Sequence, residues 1–192
     1  SKFMIVSNPD RHLICFGTET TIGTLSTQDP MFIRWSDQDD FNSWTASATN
    51  SAGSQRVTGG SKIVTAVSTR GQILFLTDTS AHGMSFIGAP FTFGFQKLGT
   101  NCGAVSPHCA VDISGIIYWM SSDGFYMFDG TVRKMPCSVE DFVFDNIDTT
   151  QLEQVYAGSN SAFGEVIWFY CSTASNQIDR YVIYNYQEKL WY

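Results

Sequence analysis

One stretch constrains the fold more than any other part of this sequence. It reads Gly115-Ile-Ile-Tyr-Trp-Met-Ser-Ser-Asp-Gly-Phe-Tyr-Met-Phe-Asp-Gly130, two apolar runs joined by Asp123-Gly124. Asp-Gly is typical of a two-residue hairpin turn, because both central positions need a positive φ that Gly takes freely and Asp tolerates. Residues 116–120 and 125–128 are apolar at every position, so we predict a hairpin covered on both faces. When no helices lie between the strands, a sheet can be covered on both faces only by other sheets. The pattern therefore favours stacked sheets, such as the blades of a β-propeller.

Similar apolar runs recur along the chain. They centre on Ile14, Leu74, Ile117 and Ile167, which are separated by 60, 43 and 50 residues. A period of about 40–50 residues with several short strands per repeat is typical of propellers. We therefore predict an all-β fold with one short helical segment: a β-propeller-like array of about four antiparallel blades. The array is either one domain spanning residues 1–192 or a fragment of a larger propeller. The approximate blades are 1–60, 61–101, 102–138 and 139–192.

The composition agrees with a strand-rich fold and leaves the nature of the surface open. Aromatic residues make up 15% of the chain, which favours strands. Charged residues also make up 15%, below the usual value of about 25%. Two explanations remain: much of the surface faces other subunits or other parts of a longer chain, or the surface is rich in Ser, Thr and Asn. The non-Met start and the strand-like end at Trp191-Tyr192 favour a fragment of a longer polypeptide.

The charge pattern bears on nucleic acid and membrane partners. The net charge is −7, and among the eleven Lys and Arg residues only Arg133-Lys134 are adjacent. A surface that grips nucleic acid needs clustered cations to displace phosphate counterions, so we predict no specific DNA binding. An acidic wall past which DNA slides stays compatible with this charge. No apolar run approaches the roughly 18 residues of a membrane span, and we predict none.

Five cysteines are present, an odd number without C-x-x-C spacing. We predict free thiols made in a reducing cytosol. Cys102, His108 and Cys109, with the distant Cys137, match no standard pair-and-pair zinc spacing, so we predict no metal there. The cysteines are Cys15, Cys102, Cys109, Cys137 and Cys171.

Carboxylates cluster in the acidic turn Asp37-Gln38-Asp39-Asp40. An EF-hand calcium loop needs Gly at its sixth position and Glu at its twelfth, and these are Asn42 and Ala48. Turn formation by Asp side chains explains the cluster, so we predict no calcium site.

A glycosidase is a further alternative, because it needs two carboxylates facing one cleft. Each candidate carboxylate also fits a structural role at a turn or at the end of a strand. The spacing of the arginines reveals no arginine triad. We therefore predict a protein that is not an enzyme, with no catalytic residue and no cofactor. The candidates are Asp37, Asp39, Asp40, Asp123 and Glu165.

Several connecting segments give local predictions. Residues 46–61 are small, polar and glycine-containing, which predicts an exposed, mobile loop that contacts a partner or is a solvated insertion. Asn8-Pro9-Asp10 is the expected turn between two strands over residues 3–17. Alternation over residues 91–95 predicts three phenylalanines on one face. A broken helix is expected from Cys137 to Gln154, with Ser138 as its cap, and a closing hairpin over residues 180–192.

Several stretches together resemble one family of bacteriophage virion proteins, over most of the chain. These are the tail nozzle, tail tubular B or packaged-DNA-stabilisation proteins of short-tailed phages. The stretches are Ile33-Arg-Trp-Ser-Asp-Gln-Asp-Asp-Phe-Asn-Ser-Trp44, the 115–130 hairpin, Val139-Glu-Asp-Phe-Val-Phe144, Asn160-Ser-Ala-Phe-Gly-Glu-Val-Ile-Trp-Phe-Tyr170 and Tyr181-Val-Ile-Tyr-Asn-Tyr186.

The resemblance implies a propeller-containing subunit of a homo-oligomeric ring, assembled in the host cytoplasm with other tail or portal proteins. It implies no catalytic residues. The expected function is a structural protein of the virion tail, a nozzle, hub or DNA-stabilising plug that forms part of the conduit for genome retention and ejection. The alternative is a receptor- or carbohydrate-binding adhesin in contact with the host surface, since propellers present loops and Trp and Tyr suit sugar faces.

Overall fold

The computed structural model describes residues 1–8 and 10–192 and shows a protein built almost entirely of strands. Strand accounts for 47% of the structure and helix for 7%, which confirms the all-β prediction. In the described residues, sixteen strands form four antiparallel sheets of four strands, and each sheet takes its strands in sequence order. This up-and-down order is that of a propeller blade, so the predicted blade-like sheets are present.

The first sheet consists of β1 (Phe3–Val6), β2 (Leu13–Phe16), β3 (Phe32–Trp35) and β4 (Gly53–Arg56). The second consists of β5 (Ile63–Ser68), β6 (Ile73–Thr77), β7 (Ser80–Gly88) and β8 (Thr92–Thr100). The third consists of β9 (Ala110–Ile113), β10 (Ile116–Ser121), β11 (Gly124–Phe128) and β12 (Val132–Met135). The fourth consists of β13 (Tyr156–Asn160), β14 (Glu165–Tyr170), β15 (Arg180–Asn185) and β16 (Leu190–Trp191). The helix α1 (Glu140–Asn146) follows the third sheet. Short 3-10 turns lie at Leu25–Thr27 and Leu152–Gln154.

The recurring apolar run is the second strand of each sheet. Ile14, Leu74, Ile117 and Ile167 lie in β2, β6, β10 and β14 in turn. The first three are fully buried. A second strand has a neighbouring strand on each side and at least one covered face, which is why its sequence is strongly apolar. The predicted blade limits after residues 60, 101 and 138 fall in the connections between sheets.

The described residues form two compact units, Ser1–Thr100 and Asn101–Tyr192. In the first unit, the first and second sheets share one core. Its aromatic centre includes Phe16 and Phe75, whose ring centroids lie 5.9 Å apart. The buried core residues are Ile14, Phe16, Met31, Ile33, Trp35, Val57, Ile63, Ile73, Phe75, Met84 and Phe93.

The second unit has its own, more aromatic core. The Phe125 ring lies 4.8 Å from Trp168 and 4.7 Å from Trp191, which joins the third sheet to the fourth. The Phe144 ring of α1 lies 5.6 Å from the same ring, and Val143 of the helix is buried, so the helix packs onto this core. Edge and offset ring contacts of this kind add to the free energy gained by burying the rings.

The sheets differ in how many of their faces are covered. Every residue of β6 is buried, and so is every residue of β10 after Ile116, which confirms that the 115–130 hairpin is covered on both faces. The first and fourth sheets each have one buried face and one exposed face, which we call the outer face. The outer face of the first sheet carries Met4, Val6, Leu13, Phe32, Arg34 and Arg56. The outer face of the fourth carries Glu165, Ile167, Phe169, Tyr181, Ile183 and Leu190, with Tyr192 beside Ile183.

The turn of the 115–130 hairpin is one residue earlier than predicted. Ser121 pairs with Gly124, so the two central residues are Ser122 and Asp123. Gly124 is the first residue of β11 and has a φ of 149°. A Cβ atom at this position would meet the end of the Lys134 side chain, which is flexible enough to move aside. The positive φ is therefore what favours Gly at the start of β11, and Asp123-Gly124 is not the central pair.

The loop prediction for residues 46–61 is wrong over part of its length. Residues 53–56 form β4, which pairs with β3, and Gln55 lies opposite Ile33. Ala52 and Val57 on either side are buried. Polar edge strands such as Gly-Ser-Gln-Arg have no apolar alternation to reveal them, because they contribute little to the core.

Two other local predictions need correction, and one lies outside the described residues. The helix begins at Glu140 after Val139, and no side chain caps it in the described chain, so Ser138 is not its cap. Thr92 has a φ of 60°, which breaks the predicted alternation, and Phe91 is exposed while Phe93 is buried.

The predicted turn at Asn8-Pro9-Asp10 includes Pro9, which lies outside the described residues. The closing hairpin is confirmed as β15 and β16.

The helices are few and short. None in the described residues combines the length and the apolar character that crossing a bilayer requires.

Candidate functional site

Asp37 of the acidic turn lies in a Ser–His–Asp cluster. The Ser51 hydroxyl donates to Oδ1 of Asp37 at 2.6 Å and lies 3.0 Å from Nε2 of His12. The backbone N–H groups of Ser51 and Gln38 also donate to Asp37 Oδ1, at 2.8 and 2.9 Å. These hydrogen bonds, led by that of the Ser51 hydroxyl, hold the pKa of Asp37 below its usual value. The residues are 14 and 39 positions apart, so no sequence spacing reveals them.

The proton order in this cluster is opposite to that of a hydrolase triad. In a triad, the acid orients the histidine and the histidine takes the serine proton. Here Ser51 has a single hydroxyl proton, and the ionised Asp37 can only accept it. His12 must therefore donate its own Nε2–H to Ser51, and burial lowers the pKa of His12, which keeps the ring neutral. The cluster ties the 37–51 connection to the start of β2 and does not activate Ser51.

The other carboxylates of the acidic turn also have local partners. Asp40 accepts from the Asn42 N–H at 2.9 Å and from the Ser43 hydroxyl at 2.7 Å. Hydrogen bonds from these groups, with Ser43 first, lower the pKa of Asp40. Asp39 pairs with Arg11 at 2.7 Å. In the described residues no group of three or more His, Cys, Asp or Glu side chains is placed to hold a metal ion.

Asp123 and Glu165, the remaining glycosidase candidates, lie in different sheets. Asp123 accepts from the Tyr126 hydroxyl at 3.0 Å, and burial together with this hydrogen bond raises the pKa of Tyr126. Glu165 accepts from the Asn160 amide at 3.3 Å. A glycosidase acid needs a raised carboxyl pKa, whereas the shifts found at Asp37 and Asp40 are downward.

The Cys102, His108, Cys109 and Cys137 set, for which we predicted no metal, lies in the second unit. The Cys109 thiol is fully buried and donates to the Met120 carbonyl at 3.4 Å, and burial raises its pKa. The His108 ring lies 5.8 Å from that of Tyr156. Burial also raises the pKa of Cys137 to about 11. Metal ligands are thiolates, so protonated thiols of this kind fit packing better than ligation. The five cysteines, all in the described chain, form no disulfide.

A second serine–histidine pair lies inside the first unit and was missed in the sequence. Ser80 Oγ lies 2.8 Å from Nε2 of His82, two residues along β7. Ser80 also donates to the Gly59 carbonyl, and its backbone N–H donates to the Thr77 hydroxyl at 2.8 Å. Ser80 and Thr77 are almost completely buried. The pair anchors the 57–62 connection onto the β6–β7 turn, where the side chains of Ser80 and His82 are both buried.

The only adjacent basic residues are held by carboxylates. Arg133 forms an ion pair with Asp129, and Lys134 Nζ lies 2.9 Å from Glu140 Oε1. Lys134 also donates to the Asp123 carbonyl at 2.6 Å. The hydrogen bond to Glu140 raises the pKa of Lys134, so the ammonium form is retained but engaged. Surface cations engaged in this way are less available to a phosphate backbone.

An open cleft of about 540 Å³ lies on the second unit. Its exposed aromatic rings are those of Phe142, Tyr181 and Tyr192, and the charged pair Asp179 and Arg180 flanks them. Asp179 already accepts from the Ser172 N–H and hydroxyl at 2.8 and 2.7 Å. Chemically the cleft offers flat apolar surfaces with hydrogen-bonding groups at its margin.

The sequence matches no known family model. No curated protein shows significant similarity to it.

Proposed function

We propose that this chain is part of a structural protein of a short-tailed phage virion, located in the tail and assembled in the host cytoplasm. In this proposal it forms part of the wall of a nozzle, hub or plug through which the genome is retained and released. The protein has no catalytic role here and needs no cofactor. The proposal starts from the sequence resemblance described above and is supported by blade-like sheets.

The observation that carries the proposal is the state of the basic residues. A conduit wall has to let DNA pass, and exposed clusters of Lys and Arg would hold the phosphates in a salt-dependent way. The adjacent pair Arg133 and Lys134 is engaged by Asp129 and Glu140, and the net charge is −7. Strands buried on both faces, as in β6 and β10, add stiffness through close packing.

Binding to duplex DNA tests this proposal. Gel-shift titrations at low ionic strength should show little retention of the DNA, and what there is should depend weakly on salt. Tight binding that weakens steeply with added salt would contradict a non-gripping wall. Electron microscopy of the assembled protein should show a ring with an axial channel.

The aromatic cleft favours a second candidate function, a carbohydrate-binding adhesin. The rings of Phe142, Tyr181 and Tyr192 are exposed beside Asp179 and Arg180. Aromatic faces with polar groups at the rim suit the apolar faces and hydroxyls of a sugar. Saturable binding to host cells that is blocked by a soluble sugar would favour this candidate, and isolated monomers in electron micrographs would agree with it.

A further inference from the structure

We infer that His12 is a pH-sensitive latch in the first unit: when its ring takes up a second proton on acidification, the end of the β7–β8 hairpin lifts from the first sheet. The hairpin end comprises residues 85–95. This conformational change goes beyond the function proposed above and does not depend on it. A buried neutral histidine under a cover that can open is a general form of pH switch.

The His12 ring is fully buried, and only one of its two nitrogens is hydrogen-bonded. The residue is 0% exposed, and Nε2 lies 3.0 Å from the Ser51 hydroxyl oxygen. Nδ1 is also buried and has no hydrogen-bond partner among the described residues. In the neutral ring, Nε2 carries the proton and Nδ1 is a bare acceptor. A second proton would make Nδ1 a charged donor without an acceptor, which is costly where water does not reach.

The hairpin end covers the His12 ring. The centroid of this ring lies 5.7 Å from that of Phe86 on β7 and 5.1 Å from that of Phe93 on β8. The Thr92 hydroxyl donates to the Ser51 carbonyl at 2.9 Å. His12 and Ser51, which are hydrogen-bonded to each other, therefore hold the hairpin end against the first sheet.

The hairpin end is the part of the second sheet that can move separately. β6 pairs with β7 only as far as Met84, and beyond this residue β7 and β8 pair with each other alone. Two further ring contacts join the hairpin end to Trp35 of the first sheet, from Phe93 at 5.3 Å and from Phe95 at 5.9 Å. A two-stranded segment is marginally stable by itself, so it can open while the four-stranded part of the sheet stays folded.

Charged groups surround the His12 ring on two segments. Asp10 and Arg11 precede it in the chain, and Asp37 and Asp39 belong to the 37–51 connection, where Asp39 pairs with Arg11 at 2.7 Å. The two hairpin strands face the ring with aromatic side chains. Burial outweighs the three carboxylates and the Asp10 backbone, which favour a charged ring, and so lowers the pKa of His12.

The direction of this pKa shift sets the direction of the switch. In an open state that water reaches, the ring takes up the proton at the usual histidine pKa of 6.5, whereas the closed state takes it up only at a lower pH. The hairpin end is therefore held fully above pH 6.5, and opening becomes easier as the pH falls toward the lowered pKa of the closed state. Asp37 stays ionised over this range, because its pKa is lowered as well.

Backbone amide exchange measured by NMR tests the latch with the whole chain. After correction for intrinsic exchange rates, amides of the hairpin end should open at least about threefold more readily at about pH 5 than at about pH 7.5. Amides of the buried strand β6 are the internal reference and should change less.

His12→Gln separates a latch from a merely structural role. The Gln amide can still donate to the Ser51 hydroxyl but takes up no proton in this range, so opening of the hairpin end should no longer depend on pH. His82→Gln is the matched control, because His82 is the other buried histidine of the first unit and its ring stacks on Phe75 at 5.0 Å. This control should keep the pH dependence of the wild type.

An NMR titration of the His12 ring in the wild type needs no variant, so the latch remains testable even if His12→Gln does not fold. The ring should take up its second proton only below pH 6.5. Protonation at or above this value would overturn the inference. So would equal opening of the hairpin end at the two pH values, a pH dependence that His12→Gln retains, or one that His82→Gln also abolishes.

Discussion

At the scale of single residues, Gly124 illustrates how one position limits the sequence of a blade. Its φ of 149° disfavours any side chain, because L residues with a Cβ atom rarely adopt this backbone conformation. We expect Gly124→Val to lower the free energy of unfolding by about 1–3 kcal/mol. Urea denaturation measures this.

Gly158→Val is the control for that substitution. Gly158 also lies in a strand, β13, but it has no positive φ, and no described atom lies within 4 Å of its Cβ position. Valine favours strands, so this variant should be as stable as the wild type or slightly more stable. Equal losses at both positions would show that backbone strain at Gly124 is not the cause.

The Ser51 hydroxyl should control the ionisation of Asp37. Because it donates to the charged carboxylate, Ser51→Ala should raise the pKa of Asp37 toward its usual value. The hydrogen bond stabilises the fold while Asp37 is ionised. This contribution is fully present above the usual carboxyl pKa and is lost as the pH falls through the lowered pKa of the folded state.

An NMR titration of the Asp37 carboxyl carbon measures the shift directly. Ser43→Ala removes a matching hydroxyl from Asp40 and should leave Asp37 unchanged. A pKa of Asp37 that is the same in the wild type and in Ser51→Ala would contradict the assigned proton order, in which Ser51 donates to the acid.

At the scale of elements, β4 turns a predicted loop into an edge strand. Its pairing with β3 should protect backbone amides in residues 53–56, while residues 45–50 should exchange faster. Hydrogen exchange resolved by residue checks this, with the buried strand β6 as the protected reference. Equal exchange across residues 45–56 would mean that the strand is not stably formed.

The elements show which features a sequence reveals. Second strands such as β6 and β10 are visible because they bury long apolar runs, and the repeat of Ile14, Leu74 and Ile117 follows from them. The strand β4 is hidden because its polar residues lie at an edge. Clusters such as His12, Ser51 and Asp37 are hidden for another reason: their residues meet only through tertiary contacts.

At the scale of the whole molecule, the distribution of charge should decide whether DNA is held. Glu140→Lys would replace the carboxylate that pairs with Lys134 by a second ammonium group beside it. We expect this variant to retain DNA severalfold better at low salt, with an affinity that falls as salt is added. Gel-shift titration against the wild type is the measurement.

Asp145→Lys is the matched control for this substitution. It makes the same change in net charge on the same helix, but Asp145 is exposed near the other end of α1. It should change DNA retention much less than Glu140→Lys. Equal gains would show that net charge, and not the local clustering of cations, sets the affinity.

The sequential strand order has a consequence for how the protein is made. Every sheet pairs strands that are neighbours in the chain, so none waits for a segment synthesised much later. Short separations between contacting residues favour fast folding, and domains fold as units during synthesis. The first two sheets complete a shared core by Thr100, so this half can fold on the ribosome while the second half is still being translated.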